Sequence, residues 1–414
     1  AHCGVYLRLI EGNDTAKAEG IRTQSNRYDS IAQDEFKKIP GSPIAYWATE
    51  SARNTFLLPN LTSFASTRKG MVTADNARFV RLWHEVDRSK IGLDHDRNSA
   101  RQSHCKWFPQ AMGGDFRRWS GNFEYVVNWQ NDGYVLQNQR HHTDDRVAAT
   151  NFNLDWIFKP GITWTKISSG AFAARSHGIG FLINDESAAA FVNESEKVYG
   201  GLAFVCSSTT QFLLNLLNPT LNYLSGNVAS LPVAESIFDE TITHNSKQLV
   251  DLYSADWNEY ESAWGFINLF PNPTNQEKIG AWWKLRREHL VGLVERAHHL
   301  EAENNALIAS AYGLESDVPL EVDLKSISLW ANPLHCFRPK GKKKSDEGYS
   351  DEELDAAAEL ATEELEAKFR EKGIQELVSY SIGCLMGRYS LDEPGLIYAH
   401  QGGEGFDPSR YQTL

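Results

Sequence analysis

Apolar residues recur at alternating steps of three and four near residue 300, which is the spacing of one face of an α-helix. The stripe consists of Leu290, Leu293, Ala297, Leu300, Asn304, Leu307 and Ala311. Gly313 follows at the position of a helix C-terminal cap. The pattern predicts a helix of roughly 30 residues, about 45 Å long, in a helical region over 236–312. Asn304 fits either a register-fixing contact or a solvent-facing position.

Other segments carry the short apolar runs of β-strands, separated by turn residues such as Asn131-Asp132-Gly133. Strands are predicted within 4–10, 122–129, 155–168 and 178–184. A helix is predicted over 209–217, ending at Asn218-Pro219 because the residue before a proline avoids helical geometry. Towards the C-terminus, 340–350 is expected to be a linker. Ser350 and Glu353 form a capping box for an acidic helix that Gly373 is expected to end.

These patterns predict an α+β fold. A domain with a mixed or antiparallel sheet is followed by a helical spacer and a small, mostly helical C-terminal domain. The predicted boundaries are 1–65, 66–235, 236–339 and 340–414.

Composition excludes several classes of protein. Of 414 residues, 41% are apolar and 23% charged, values typical of globular chains. No apolar run reaches the ~20 residues of a membrane span, and the first residues do not resemble a signal peptide. The five cysteines are scattered, so neither a disulfide framework nor a cysteine-rich zinc site is expected. We therefore expect a cytoplasmic protein without a bound metal.

Charge is distributed unevenly. The net charge is −13, yet residues 66–175 hold 16 Lys and Arg against 11 Asp and Glu, whereas the remainder holds 25 against 43. Because salt screens charges over ~8–10 Å, the local excess decides whether a polyanion can bind.

Catalytic motifs are weak or missing. His141-His142 beside Asp144-Asp145 resembles a ligand cluster but lacks helical spacing. Asp323-x-Lys325 and Glu35-x-Lys37 have a spacing found in metal-dependent nucleases. The Asn/Asp-Pro-Pro-aromatic turn of amino-group methyltransferases is absent, since Asn272-Pro273-Thr274 and Gly41-Ser42-Pro43 do not match it.

Three basic and polar patches within 66–175 predict contact with double-stranded DNA. Arginine and lysine neutralise phosphates, and amide or guanidinium groups read base edges. The predicted DNA-binding residues are Arg68, Lys69, Asn76, Arg78, Arg81, Lys106, Arg117, Arg118, Lys166, Ser168, Ser169 and Arg175. Gly113-Gly114 lets the backbone approach a phosphate closely. The tryptophans among these patches (Trp107, Trp119, Trp129) are expected in the core.

The same strings resemble the C-terminal part of PglX-type adenine-specific DNA methyltransferases of BREX phage-defence systems and, more distantly, fused restriction-modification methyltransferases. The resemblance rests on strings that keep the family's order: FKKIPGSPIAYW (36–47), the run from Lys69 to Val86, KWFP…GGDFRRWSGN…YVVNW (106–129), GITWTKISSG (161–170), LLNLLNPTLNYLSGNVASLPV (213–233), LEAENNALIASAYGL (300–314) and IGCLMGRYSLDEPGLIYA (382–399).

The resemblance implies that 1–65 ends a methyltransferase domain, that 66–235 is a target recognition domain and that 236–339 is the spacer. The full-length enzyme would transfer methyl from S-adenosylmethionine to adenine N6, using cofactor and catalytic motifs upstream of residue 1. The chain would then be a fragment or the product of a split gene. Implied partners are double-stranded DNA, other BREX components and phage proteins that mimic DNA.

Two alternatives remain open at this point. The acidic remainder of the chain fits a protein-interaction scaffold within a defence complex. Asp323 and Lys325 fit a standalone nuclease.

Overall fold

The computed structural model describes residues 3–9, 12–141, 143, 145–168, 171–218, 220, 222–273, 278–337, 362–391 and 395–397. The strands are β1 (Cys3–Leu7), β2 (Arg27–Ala32), β3 (Ala65–Lys69), β4 (Val80–Leu82), β5 (Trp107–Ala111), β6 (Tyr125–Asn128), β7 (Gly161–Thr165), β8 (Ala174–His177), β9 (Leu182–Ile183) and β10 (Ser187–Val192). The helices are α1 (Asp14–Thr23), α2 (Glu50–Thr55), α3 (Asn76–Phe79), α4 (Arg97–Gln102), α5 (Gln130–Gln137), α6 (Val198–Cys206), α7 (Ser208–Leu217), α8 (Ser225–Ala229), α9 (Glu240–Asn258), α10 (Ile279–Tyr312), α11 (Pro333–Cys336) and α12 (Thr362–Leu385).

The strands form three sheets. β1 and β2 pair as an antiparallel hairpin, and the first four-stranded sheet has the antiparallel order β3-β10-β7-β8. The second has the order β4-β6-β5-β9, with β9 parallel to β5. Antiparallel and mixed sheets beside long helices confirm the predicted α+β fold class.

Small residues let β10 lie buried on both faces. Ala188 and Ala190 point into the main core, whereas Ala189 and Phe191 belong to a second cluster with Phe181. This is the alternation of a strand, and alanine on both faces allows close packing from either side.

Helices α9 and α10 pack against each other. Helix α9 also packs on α6, and α10 packs on α7. The predicted long helix is confirmed, with 34 residues and a left-handed cap at Gly313 (φ 63°). Asn304 is buried and donates to Ser246 Oγ at 3.3 Å, so it faces α9 rather than solvent. Leu307 of the stripe is exposed. Helix α7 ends at Leu217, as predicted.

Helix α12 runs through Gly373, so the prediction that this glycine ends a helix is wrong. A Cβ at Gly373 would lie 2.2 Å from the Trp283 ring, which shows that the residue is needed for packing against α10. The predicted linker and capping box at 340–353 lie outside the described residues.

The main core extends from Ile39 to Phe369 and includes residues on both sides of the predicted boundary at 235. The sheet region and the long helices therefore share one core. The domain boundaries themselves stay predictions.

Candidate nucleic-acid interface

Arg117 lies in the interior and not on a DNA-facing surface. Its guanidinium donates to Ser120 O at 2.6 Å, Tyr253 O at 2.7 Å and Asp256 Oδ2 at 3.0 Å. Its side chain is 2% exposed and that of Asp256 is 0% exposed. Asp256 also accepts hydrogen bonds from the backbone N–H groups of Trp330 and Ala331. This ion pair joins the sheet region to α9.

Arg118 connects the sheet region to α10 in a similar way. Its Nη1 lies 2.8 Å from Glu301 Oε2. The other oxygen of Glu301 accepts from Trp119 Nε1 at 2.8 Å and from the Tyr253 hydroxyl at 2.7 Å. Burial and the neighbouring carboxylate raise the pKa of Tyr253, so its hydroxyl is a protonated donor.

Arg175 on β8 is buried as well. It donates to Arg117 O and Gly113 O, each at 3.3 Å, and to Thr165 Oγ1 at 3.4 Å. Burial, and then the nearby charge of Arg117, lowers its pKa to about 10. The assignment of Arg117, Arg118 and Arg175 to DNA contacts is therefore corrected, because each guanidinium is taken up by acceptors inside the protein.

The two glycines before these arginines, Gly113 and Gly114, also lie close to other parts of the chain. Gly113 and Gly114 have φ of +86° and +103°, a backbone region that favours glycine. A Cβ at Gly113 would lie 3.2 Å from Thr165, and one at Gly114 would lie 2.8 Å from Asn122. Their close approach is to other parts of the chain and not to a phosphate. Trp119 and Trp129 are buried in the core and Trp107 is half-buried, in line with the expectation for the tryptophans.

The basic and polar patch over 162–175 is mostly occupied by internal contacts. Lys166 Nζ pairs with Asp185 at 2.9 Å, and its side chain is 18% exposed. The hydroxyl of Ser168 donates to Ala171 O at 3.4 Å. Ser169 lies outside the described residues.

The basic and polar patch over 67–83 begins at the surface. The Arg68 guanidinium lies 4.7 Å from the Trp156 ring, and Lys159 Nζ lies 5.1 Å from the same ring. Lys69 is exposed at the end of β3, and its carbonyl accepts from Asn153 Nδ2 at 2.7 Å. Sequence reasoning missed Lys159 and Trp156, although their three-residue separation is a signal for a cation beside a ring.

Strand register brings the remaining predicted residues to one end of the second sheet. Val80 pairs with Val127, and Trp107 pairs with Asn128, so β4 and β5 begin where β6 ends. Asn76 and Arg78 belong to α3, which leads into β4, and Lys106 directly precedes β5. Lys106 N donates to Lys90 O at 2.9 Å. We call Asn76, Arg78, Lys90 and Lys106 the basic end of the second sheet.

The basic end has free positive charge. Asn76, Arg78 and Lys90 are exposed, and Lys106 is half-exposed beside the Trp107 ring at 5.2 Å. Among the residues that the structure describes, neither Arg78 nor Lys106 pairs with a carboxylate, and the Arg78 guanidinium lies 5.0 Å from the Phe79 ring. Arg81 differs, since its guanidinium donates to the carbonyls of Ala77 and Val80.

A cavity of about 1010 Å³ lies between the sheet region, the end of α9 and α12. Its lining includes the carboxylates of Asp115, Glu259, Glu261 and Glu376 beside the cations of Arg117 and Lys372. Because acidic groups outnumber basic ones, the cavity does not suit a phosphate backbone.

The candidate nuclease residues make local capping hydrogen bonds and ion pairs. Asp323 caps a short helix by accepting from Lys325 N at 2.9 Å. Glu35 pairs with Lys38 at 2.7 Å and Lys37 with Asp34 at 2.6 Å. In the part of the chain that the structure describes, no three His, Cys, Asp or Glu side chains are placed to hold a metal ion. Two members of the histidine–aspartate cluster, His142 and Asp144, lie outside it.

Within the described ranges, no single helix is both long and apolar enough to cross a membrane, and one pair bent by 68° (195–206 with 208–217) meets the length and composition test.

The fold is that of an α+β chain whose second sheet carries an exposed basic end, and two curated relatives match it along almost its whole length. Adenine-specific methyltransferase PglX of Lacticaseibacillus casei (strain Zhang) is 32% identical over 428 residues, which cover 99% of this chain and 32% of that protein. Adenine-specific methyltransferase BrxX of Escherichia coli O9:H4 (strain HS) is 33% identical over 408 residues, covering 97% and 30%. No protein-family model matches. The resemblance to PglX-type methyltransferases is confirmed, and the chain spans about a third of the length of these relatives.

Proposed function

We propose that this chain is the DNA-recognition portion of an N6-adenine DNA methyltransferase of the BREX type. The names of the two relatives support the reaction, and their coverage supports a chain that forms one part of a longer enzyme. The corresponding full-length protein would mark host DNA with a methyl group and so distinguish it from phage DNA.

The observation that carries the DNA-binding role is the grouping of Arg78 and Lys106 at one end of the second sheet. Strand pairing brings the starts of β4 and β5, which these residues precede, to the same end of the sheet, and neither cation pairs with a carboxylate among the described residues. Cations without a carboxylate partner are available to phosphates, and each phosphate contact releases condensed counterions. The excess of basic residues in 66–175 supports the same surface.

We assign roles within this surface by exposure. Arg78 and Lys106 bind phosphates, and Asn76 donates to a phosphate or base edge. Arg68, beside the Trp156 ring, and Lys69, at the end of β3, are further candidates for phosphate contact outside the basic end. Arg117 and Arg118 hold the sheet region on α9 and α10, and Arg175 holds β8 on the segment after β5. All three act on DNA only through that framework.

The methyl transfer itself is assigned to the part of the enzyme outside this chain. Neither Asn272-Pro273-Thr274 nor Gly41-Ser42-Pro43 supplies the ring that follows the proline pair in the methyltransferase motif. These residues do not fit the catalytic role, so S-adenosylmethionine is expected to bind the full-length enzyme elsewhere.

Fluorescence anisotropy with a labelled duplex, measured over a range of salt concentrations, tests the proposal. The double variant Arg78→Ala/Lys106→Ala should bind DNA at least tenfold more weakly. The slope of log affinity against log salt should fall by about two, since each lost phosphate contact removes ~0.9. Lys284→Ala is the matched control, because Lys284 is 78% exposed on α10 and does not belong to the basic end.

Equal salt slopes for the wild type, the double variant and the control would overturn the assignment of this surface. Unchanged melting temperatures in both variants show that any loss of binding comes from lost charge and not from unfolding.

A second candidate function is a protein-interaction scaffold for other BREX components. The acidic lining of the cavity and the −18 charge of the chain outside 66–175 favour it. Binding of those components without DNA, insensitive to Arg78→Ala/Lys106→Ala, would support this role. A phage protein that mimics DNA should instead compete with the duplex for the basic end.

A further inference from the structure

The chain makes a strained turn directly after β6, beside the basic end. Asn131, Asp132 and Gly133 have φ of 54°, 56° and 71° at the start of α5. Non-glycine residues in this left-handed region cost roughly 1 kcal/mol or more each. Two such residues in succession therefore persist only where neighbouring groups hold them.

Asp132 supplies the main anchor of this turn. Arg97 donates to both of its carboxylate oxygens, at 2.9 and 2.8 Å, and Arg101 donates to one of them at 2.6 Å. Burial raises the pKa of the Asp132 carboxyl, but the hydrogen bonds from Arg97 and Arg101 outweigh burial and hold it below its ordinary value. The carboxylate is thus charged and clamped by two side chains of α4.

The buried indole of Trp129 forms the floor of the turn. A Cβ at Gly133 would lie 2.6 Å from the Trp129 ring, so only glycine fits there without a shift. Trp129 N donates to Lys106 O at 3.0 Å. This bond connects the turn to the basic end through the backbone.

The tip of the turn carries the side chains of Gln130 and Asn131. Gln130 and Asn131 are exposed, and neither side-chain amide makes a hydrogen bond to any residue in the described ranges. Tyr134, one turn further along α5, is 65% exposed. A rigid backbone therefore presents two free amides next to cations that suit phosphates.

We propose that Gln130 and Asn131 read base edges, as the specificity-determining side chains of the DNA surface. The inference rests on the proposed function, because it requires the basic end to contact the backbone of the duplex. Asparagine and glutamine amides can donate and accept at once, which matches the N6 and N7 pair of adenine in the major groove. The anchored turn holds the amides in one orientation, so little side-chain and backbone freedom is lost on binding.

Selection from a duplex library with randomised central positions, followed by sequencing of the bound fraction, tests the inference on the full chain. Gln130→Ala and Asn131→Gly should each relax the preference at one or two adjacent positions by about tenfold. Glycine retains the left-handed backbone at 131. Asn131→Asp keeps size and backbone but only accepts, so preference there should shift from adenine towards cytosine.

The outcomes separate this inference from the proposed function. If Gln130→Ala, Asn131→Gly and Asn131→Asp retain the wild-type preference, the inference is wrong although DNA binding stands. If the wild type binds no duplex, the proposed function fails and the inference fails with it. If it binds without base preference, only the inference fails. Arg78→Ala is the matched control and should weaken all sequences evenly.

Discussion

The Nη2 atom of Arg117 lies 3.0 Å from Oδ2 of Asp256, and the two side chains are 2% and 0% exposed. Tyr253, Trp257 and Trp330 place their rings 5.1 to 5.7 Å from the guanidinium carbon. An arginine that sequence reasoning assigned to DNA thus connects the sheets to the long helices.

Arg117→Ala is expected to lower the free energy of unfolding by about 3–5 kcal/mol, because it leaves the Asp256 carboxylate buried without a counterion. Urea denaturation measures this loss. Arg78→Ala, at an exposed position, should change stability by less than about 0.5 kcal/mol. A stable Arg117→Ala variant with weakened DNA binding would restore Arg117 to the DNA surface.

The two arginines that hold Asp132 should differ in importance. Arg97 makes two hydrogen bonds to the carboxylate and is 22% exposed, whereas Arg101 makes one and is 47% exposed. Arg97→Ala should cost about 1–3 kcal/mol and Arg101→Ala less than about 1 kcal/mol. Thermal unfolding of both variants checks the order, and equal losses would mean that the turn is not anchored through Arg97.

The free energy of unfolding should decrease as the pH becomes acidic, because of His177. Burial lowers its pKa from an ordinary 6.5 to about 4, so between these values the unfolded chain binds a proton that the folded chain does not. Stability therefore decreases as pH falls through this window. Between pH 7 and pH 5 the contribution of His177 should fall by about 2 kcal/mol.

His177→Gln, which does not titrate, should flatten this part of the pH profile of unfolding. The comparison uses the slope and not the absolute stability, since the substitution also changes packing against the Phe181 and Phe191 rings. An identical slope in both proteins would mean that other groups cause the acid sensitivity.

Two helical glycines provide a matched pair. At Gly373 a Cβ would lie 2.2 Å from the Trp283 ring, whereas at Gly292 nothing lies within 4 Å. Gly292→Ala should stabilise the protein by about 0.5–1 kcal/mol through helix propensity. Gly373→Ala should destabilise it by about 1–3 kcal/mol, because α12 or Trp283 must shift. Stabilisation by both substitutions would show that α12 packs loosely on α10.

Local sequence patterns were sufficient to predict these helices and the residues at which they end. The apolar stripe and Gly313 predicted α10 and its end, and Asn218-Pro219 predicted the end of α7, because periodicity and capping depend on neighbours within a few residues. Gly373 was misjudged since a glycine that ends a helix and one that admits a packed ring look alike in sequence.

The location of individual charges was decided only by the tertiary structure. Lys106 and Arg117 lie in the same basic and aromatic segment, yet Lys106 reaches the surface and Arg117 does not. Asp256, which neutralises Arg117, is 139 residues away in the chain, and Glu301 is 183 residues from Arg118. The sequence by itself determined the fold class, the helices and the local excess of basic residues. Only folding determined which cations meet carboxylates and which stay exposed at the surface, because the energy of a charge depends on neighbours that long-range packing supplies.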